Sequence, residues 1–378
     1  MRRKGPKDGL SVLYLSWRDW ENPEAGGSEI FVERTSRLLA EDGHEVTVLA
    51  CGFPGGQAET RDEGVRVLRL GGRYTVFAAA AGHLLRHGRR YDVIVDVQNG
   101  VPFWSPLFTR TPAINLVHHV HREQWSSVFP GPLARFGWWL ESRVAPRVYR
   151  RNRYLTVSDA TSEDLAGLGV DPERMTIVHS GNDQPQDMGR FTALARSAQP
   201  SLVSLGRLVP HKQVELAIDV VRDLRPDFPD IRLHVAGDGY WMPDLVRYAE
   251  AAGVTDNVTF HGFVDDDTKQ HLLATAWVTV MPSIKEGWGL TIMESALHET
   301  PTVAFRFAGG PRDSIRDGET GLLADDYPGF RDAVATLLTD HGLRHRMGKD
   351  ARAYAETFSW TDTGRAVADL LHRAAAGR

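Results

Sequence analysis

The feature that most constrains this 378-residue chain is an alternation, run through twice, of short apolar stretches with helix-capable segments. Val12 to Leu15 leads into a Gly-bearing loop, an apolar stripe at helical spacing (Ile30, Phe31, Leu38, Leu39) and a second apolar run from Glu45 to Ala50. That order predicts a strand-loop-helix-strand unit. Further strands are predicted at Val65 to Leu70, Val93 to Val97, Ile114 to Val117 and Tyr154 to Val157. Between Asn182 and Pro200 the pattern dissolves into Gln, Asp, Gly, Ser and Pro, the composition of a connection. It restarts with strands at Leu202 to Leu205, Leu233 to Ala236, Val258 to Phe260, Val278 to Met281, Thr302 to Phe305 and near Leu322, separated by helices from about Gln213, Met242, Asp266 and Leu290. Buried-looking strands alternating with helices predict an α/β chain with two doubly wound, Rossmann-like parallel sheets. The expected domains are residues 1–184 and 201–358, joined by 185–200, with a helical stretch over 359–378 that packs back on the first.

Length supports two cores rather than one. Hydrophobic residues make up 42% and charged residues 25%, and runs such as Trp277 to Met281 are too short to span a bilayer. A net charge of -5 excludes the broad basic footprint of a general nucleic-acid binder, so an anionic ligand must be held by local groups. The single cysteine, Cys51, cannot form an internal disulfide, which suits a cytoplasmic protein. Met1 to Asp8 is basic but is not followed by an apolar segment and cleavage site, so no export signal is expected.

In open parallel sheets ligands bind beyond the carboxyl ends of the strands, and two such domains facing one another would enclose a cleft. The motifs with chemical content fall in loops of that kind. Pro282 to Glu294 leaves a strand, passes Gly287 and Gly289, and enters a helix whose free N–H groups and dipole suit a diphosphate. There Glu286 is placed for sugar hydroxyls and Glu294 for ribose hydroxyls. Arg207 and Lys212, after the strand Leu202 to Leu205, are placed to neutralise a leaving diphosphate. Asn115-Leu-Val-His-His-Val-His121 puts histidines at a strand end. Their spacing lacks a partner set for a metal, and a histidine there serves instead as a polar contact or proton carrier. Gly26 and Gly27 open a loop before a helix but do not form the dinucleotide fingerprint, which disfavours a nicotinamide enzyme. Trp138, Trp139, Arg143, Arg147, Tyr149, Arg150, Arg151 and Arg153 form a basic aromatic stretch. Its ordinary reading is a helix with aromatics in the core and arginines in solvent, and its sharper reading is contact with a membrane surface or an anionic acceptor.

With these residues assembled, the chain resembles the GT-B retaining glycosyltransferases of family 4 (glycosyl transferases group 1) over nearly its whole length. The resemblance runs through Ala25-Gly-Gly-Ser-Glu29, Val117-His-His119, Ser180-Gly-Asn-Asp183, Gly206-Arg207 with Lys212, Ala236-Gly-Asp-Gly239, Glu286-Gly-Trp-Gly-Leu290 with Glu294, and Phe358-Ser-Trp360. It implies that Glu286 binds the transferred sugar, Glu294 the ribose, and Arg207 with Lys212 the diphosphate. It implies donor contacts from Gly26, Gly27, Gly206, Gly237, Gly289, Leu290 and Thr291, and makes His118 the active-site histidine. Acceptor-side candidates are His119, His121, Trp138 and Arg143. Four departures stand out: Trp288 where Phe or Tyr is usual, Gln213 and Glu299 where glycine is common, and Arg312-Asp313 for Pro-Glu.

The implied reaction is metal-independent, retaining transfer of a hexosyl group from a nucleotide diphosphate-sugar, UDP-sugar before GDP-mannose, to an acceptor hydroxyl. The acceptor would be a small molecule, glycan or lipid-linked molecule, with no nucleic acid, no cofactor, and membrane contact peripheral at most, at the inner face. The rival readings are a sugar-nucleotide 2-epimerase on the same fold and an inactive sugar-nucleotide-binding subunit.

Overall fold

A computed structural model describes residues 9–185 and 187–377; the basic stretch Met1 to Asp8 lies outside them. The chain divides into two compact units, Met1–Gly181 with Trp360–Arg378, and Asn182–Ser359.

The first unit is built on an eight-stranded sheet. Its strands are β1 (Ser11–Leu15), β2 (Glu45–Ala50), β3 (Glu59–Asp62), β4 (Val65–Arg69), β5 (Val93–Gln98), β6 (Ala113–Val117), β7 (Arg153–Thr156) and β8 (Met175–Ile177), in the order β3-β4-β2-β1-β5-β6-β7-β8. All pairs are parallel except β3 with β4. The central β5, Val-Ile-Val-Asp-Val-Gln, is buried along its whole length, as a strand covered on both faces must be. Its one acid, Asp96, accepts bonds from the Phe103 and Ser105 amides at 2.8 and 3.1 Å and from the Tyr149 hydroxyl. Burial nonetheless pushes its carboxyl up. The C-terminal helix Trp360–Ala376 lies on the helix Gly27–Glu41, with Trp360 edge-on to Phe31 and the Thr363 hydroxyl donating to the His179 carbonyl at 2.8 Å.

The second unit has a six-stranded, all-parallel sheet: β9 (Ser201–Leu205), β10 (Arg232–Ala236), β11 (Val258–Gly262), β12 (Val278–Met281), β13 (Thr302–Phe305) and β14 (Gly321–Ala324), in the order β11-β10-β9-β12-β13-β14. Residues 185–200, expected as a connection, are anchored to this unit. The Arg196 guanidinium donates to the carbonyls of Ala274, Ala276, His298 and Glu299 at 2.7 to 3.0 Å and to the Thr300 hydroxyl. Arg190 pairs with Asp267 at 2.7 Å. A guanidinium satisfied by carbonyls from several elements makes a clamp, and the polar sequence of this segment conceals it.

Close approach between the loops after β9 and β10 depends on glycine. Gly237 sits at φ +132°, and a Cβ there would lie 1.9 Å from the Gly206 carbonyl oxygen. Gly237→Ala is therefore expected to cost at least about 3 kcal/mol, because both the backbone conformation and the contact are lost. A thermal melt of the purified variant checks this, and an unchanged midpoint would refute it.

Candidate active site

In the second unit the chain winds from β9 to β10 on one side and reaches β12 on the other. The loops leaving β9 and β12 therefore diverge at the point where strand order reverses, the place where open α/β sheets hold ligands. The Ile284 amide donates to the His211 carbonyl at 2.9 Å and ties these loops together. Across the tie, Lys212 Nζ stands 2.6 Å from Glu286 Oε1, with the two side chains 23% and 12% exposed. Enclosure pushes the Glu286 carboxyl up, but the Lys212 ammonium overcomes this and, with Ser283 and His211, holds it below the usual range. The Glu286 backbone is fixed as well: its amide donates to the Ala308 carbonyl at 2.8 Å and its carbonyl accepts from the Gly310 amide at 3.1 Å. Gly289, at φ +91°, then turns the chain into the helix Leu290–Leu297, so the amides of Leu290 and Thr291 belong to a first turn without intrahelical acceptors. Arg207 lies in the same β9 loop as Lys212, directly after Gly206.

Glu294, on the second turn of that helix, is held by Lys269 at 2.8 Å through Oε1, and Lys269 also bonds Asp266 at 2.9 Å. Burial opposes the Lys269 charge, yet Glu294 and Asp266 push its pKa up to about 12. Lys269 was not singled out in the sequence, because nothing local marks a lysine 25 residues away as the partner of this acid. The departures from the family pattern also find places. Gln213 and Glu299 occupy left-handed φ values of +47° and +57°, which is why glycine suits both positions. Trp288 is buried and edge-on to Phe358.

The first unit carries its own polar cluster at the carboxyl edge. The helix Gly27–Glu41 follows the β1 loop, and Glu29 reaches back to accept from the Gly26 amide at 2.8 Å and the Ser28 hydroxyl at 2.9 Å. This engages the Gly26 amide at the helix start where Gly26 and Gly27 are expected to meet a phosphate. Arg18 Nε faces the other Glu29 oxygen at 3.4 Å. His118, the first residue after β6, is buried with its ring edge-on to Phe31 at 5.4 Å. Burial lowers its pKa to about 4 despite the nearby Glu29 charge, and its Nε2 has no hydrogen-bond partner among the described residues. A neutral imidazole with an uncommitted ring nitrogen suits a ligand hydroxyl.

The His118 shift has a defined sign. Folded His118 titrates near 4 against an ordinary 6.5, so it favours the folded state less as pH falls from 6.5 toward 4, and contributes nothing above that window. Wild type is expected to lose more stability between pH near 7 and pH near 5 than His118→Gln does. Denaturant midpoints at the two pH values measure the difference; parallel losses would contradict it.

The acceptor-side candidates do not converge on one point. His119 Nε2 pairs with the Gln124 side-chain oxygen at 2.9 Å, and His121 lies 3.1 Å from Glu141, whose other oxygen accepts from Trp125 Nε1 at 2.6 Å. Trp138 is half-buried against the apolar cluster that includes Val120 and Tyr149, with Arg122 over its ring, whereas Arg143 is exposed to solvent. Among the described residues no group of three or more His, Cys, Asp or Glu is arranged to hold a metal.

Two parallel α/β units, the second with acids and cations at its sheet's switch point before a helix N-terminus, define the GT-B class of glycosyltransferase. Residues 25–184 match the family model described as Glycosyltransferase Family 4, and residues 188–354 match the one described as Glycosyl transferases group 1. The chain belongs to this family and is a glycosyltransferase. It is 29% identical to the D-inositol 3-phosphate glycosyltransferase of Corynebacterium glutamicum, over 93% of each chain. It is 26% identical to the glycogen synthase of Mycobacterium tuberculosis, over 97% of this chain and 96% of that one. The crystal structure of Anabaena HepE, in complex with UDP and glucose, superposes with a TM-score of 0.74 at 17% identity, covering 96% of this chain and all of the other.

Proposed function

We propose that the protein transfers a hexosyl group, with retention and without a metal, from a nucleotide diphosphate-sugar to an acceptor hydroxyl. The observation that carries this reading is the Lys212–Glu286 pair, 2.6 Å long, at the switch point of the second sheet and directly before the helix Leu290–Leu297. The bond that breaks joins the anomeric carbon to the diphosphate oxygen, which leaves with the electron pair. Arg207, Lys212 and the amides of Leu290 and Thr291 stabilise the growing negative charge, the office a metal fills in other transferases. Glu286, ionised, accepts hydrogen bonds from the sugar hydroxyls and orients the ring. Glu294 takes a ribose hydroxyl through the oxygen that Lys269 does not hold. The acceptor hydroxyl attacks the face the diphosphate leaves, and its proton passes to the departing phosphate oxygen. His118, neutral, takes a hydroxyl of the donor sugar.

A UDP-sugar is the first choice of donor, supported by the UDP and glucose bound in the HepE crystal structure, with GDP-mannose second. The relatives' names, a D-inositol 3-phosphate glycosyltransferase and a glycogen synthase, differ too much to fix one acceptor here. A thermal-shift comparison of UDP, GDP and dTDP tests the donor class. A ligand at a hundred times its Kd stabilises the folded state by about 2.7 kcal/mol, so the cognate nucleotide raises the melting midpoint by several degrees. No response to any of the three would overturn the proposal. Donor turnover is expected to survive EDTA; its loss on chelation and return with a divalent cation would refute metal independence.

A further inference from the structure

The helical segment spanning residues 131–148 faces the wrong way for an ordinary amphipathic helix. It comprises Gly131–Trp139, a π-turn Leu140–Val144 and Ala145–Val148, and its buried residues are small or polar: Ala134, Gly137, Glu141, Ser142 and Ala145. Three large apolar side chains point outward, Leu133, Phe136 and Trp139, respectively 48%, 53% and 51% exposed. The expectation that the aromatics of this stretch enter the core holds for Tyr149, holds in part for the half-buried Trp138 and fails for Trp139. The orientation is locked from the inside. A Cβ on Gly137 would fall 2.3 Å from the Trp125 ring, and Glu141 accepts from the indole N–H of that same tryptophan. Rotating the helix to bury its aromatics would break both contacts.

Leu133, Phe136 and Trp139 recur every third residue and form one stripe, the Phe136 and Trp139 rings stacked 5.8 Å apart. Beyond Trp139 the stripe passes Val144, with Arg143 and Arg147 around an open depression of about 500 Å³. Arg135, Arg150, Arg151 and Arg153, on the same stretch of chain, are exposed as well. Between residues 131 and 153 the single acid is Glu141, which is buried and engaged, so the exposed charge of this segment is wholly cationic in a chain of net charge -5. Among the described residues no helix is long and apolar enough to cross a membrane.

We propose that this face docks the protein in-plane on an anionic phospholipid bilayer. Phe136, Trp139 and Leu133 enter the boundary between headgroups and acyl chains while the arginines meet lipid phosphates. The outward apolar stripe and the cations beside it are complementary to such a surface in both respects. The depression is open, so it offers no enclosed socket for an anchor from a folded partner.

Flotation of the full chain with phosphatidylcholine vesicles, with and without phosphatidylglycerol, tests the proposal. Binding is expected to the anionic vesicles alone, to weaken with salt, and to fall by about tenfold or more in Phe136→Ser/Trp139→Ser and in Arg143→Glu/Arg147→Glu. Circular dichroism and melting midpoints check that each variant is folded. Trp139→Phe keeps the apolar contact: it is expected to bind as wild type does, but with less fluorescence quenching by brominated phospholipid. Overturning results are no binding to anionic vesicles, undiminished binding in the folded Phe136/Trp139 variant, or unchanged quenching in Trp139→Phe. Retention on an acidic protein or heparin through the arginines, with no contribution from Phe136 and Trp139, would also overturn it.

Discussion

Lys212→Ala is expected to lower kcat/KM for sugar transfer by about a thousandfold or more, with most of the loss in kcat. Removing one donor that stabilises a developing anion typically costs two to three powers of ten, or about 2.7 to 4 kcal/mol. Here the lysine has a second task. Glu286 is enclosed, and the ammonium 2.6 Å away is what holds its carboxyl below the ordinary range. Without it, enclosure dominates, the Glu286 pKa rises, and the carboxyl protonates at a pH where wild type is ionised. The sign follows for stability. In wild type the depressed Glu286 pKa contributes stability above the ordinary carboxyl value, and this is lost as pH falls through the folded value. In Lys212→Ala that contribution disappears and the carboxyl resists burial instead. The pH–rate profile of the variant should therefore gain an acidic limb shifted upward relative to wild type. Lys212→Arg keeps the charge but not the compact point of contact, so it should restore the profile more fully than the rate. Full activity of Lys212→Ala would remove the basis for the proposed mechanism, and so would an unshifted acidic limb.

The elements of this site that could be read in the sequence are those whose meaning is local. The run from Pro282 to Glu294 joins loop, glycine turn and helix start in thirteen consecutive residues directly after a strand, and the structure builds them as the loop leaving β12, Gly289 at positive φ and the helix Leu290–Leu297. Central strands such as β5 and β9 announce themselves by short runs rich in Val, Ile and Leu, broken only by Asp96 and Gln98 in the one and by Ser201 and Ser204 in the other. The edge strands do not: β3 is Glu-Thr-Arg-Asp, and its pairing with β4 rests on backbone bonds and on the Glu59–Arg66 ion pair, which no apolar pattern announces. Partners distant in the chain were equally hidden. Lys269 reaches Glu294, and Arg196 reaches carbonyls about a hundred residues on, only because the sheet winding brings their loops together. Periodicity also gives the stripe on a helix but not which stripe is inside. For residues 131–148 the choice is made by Trp125, which needs Gly137 and Glu141 beneath it.

Glu141→Ala should show the largest effect on the first unit, destabilising the protein by about 3 to 5 kcal/mol and slowing transfer although residue 141 is a positioning residue. The carboxylate is fully buried, and it accepts from the His121 amide at 3.1 Å, meets His121 Nδ1 at 3.1 Å and accepts from Trp125 Nε1 at 2.6 Å. Truncation leaves two partly buried donors, the His121 amide and the Trp125 indole N–H, without this acceptor, and each such group costs about 1 to 3 kcal/mol. It also opens a cavity under the π-turn, a form of helix found most often where a functional residue must be held. The groups released belong to the loop that begins at His118, whose carbonyl is held by the Thr161 hydroxyl at 2.9 Å on the other side. With one support gone, His118 loses its fixed place beside Phe31, so kcat should fall by about tenfold or more. KM for the nucleotide-sugar should change little, since the groups proposed to hold the diphosphate lie in the second unit. Glu141→Gln retains an acceptor oxygen and side-chain length, and should recover most of the stability and part of the rate. A folded Glu141→Ala with wild-type kcat would show that the loop holds His118 without this carboxylate. A fall in both variants confined to KM would assign Glu141 to substrate binding instead.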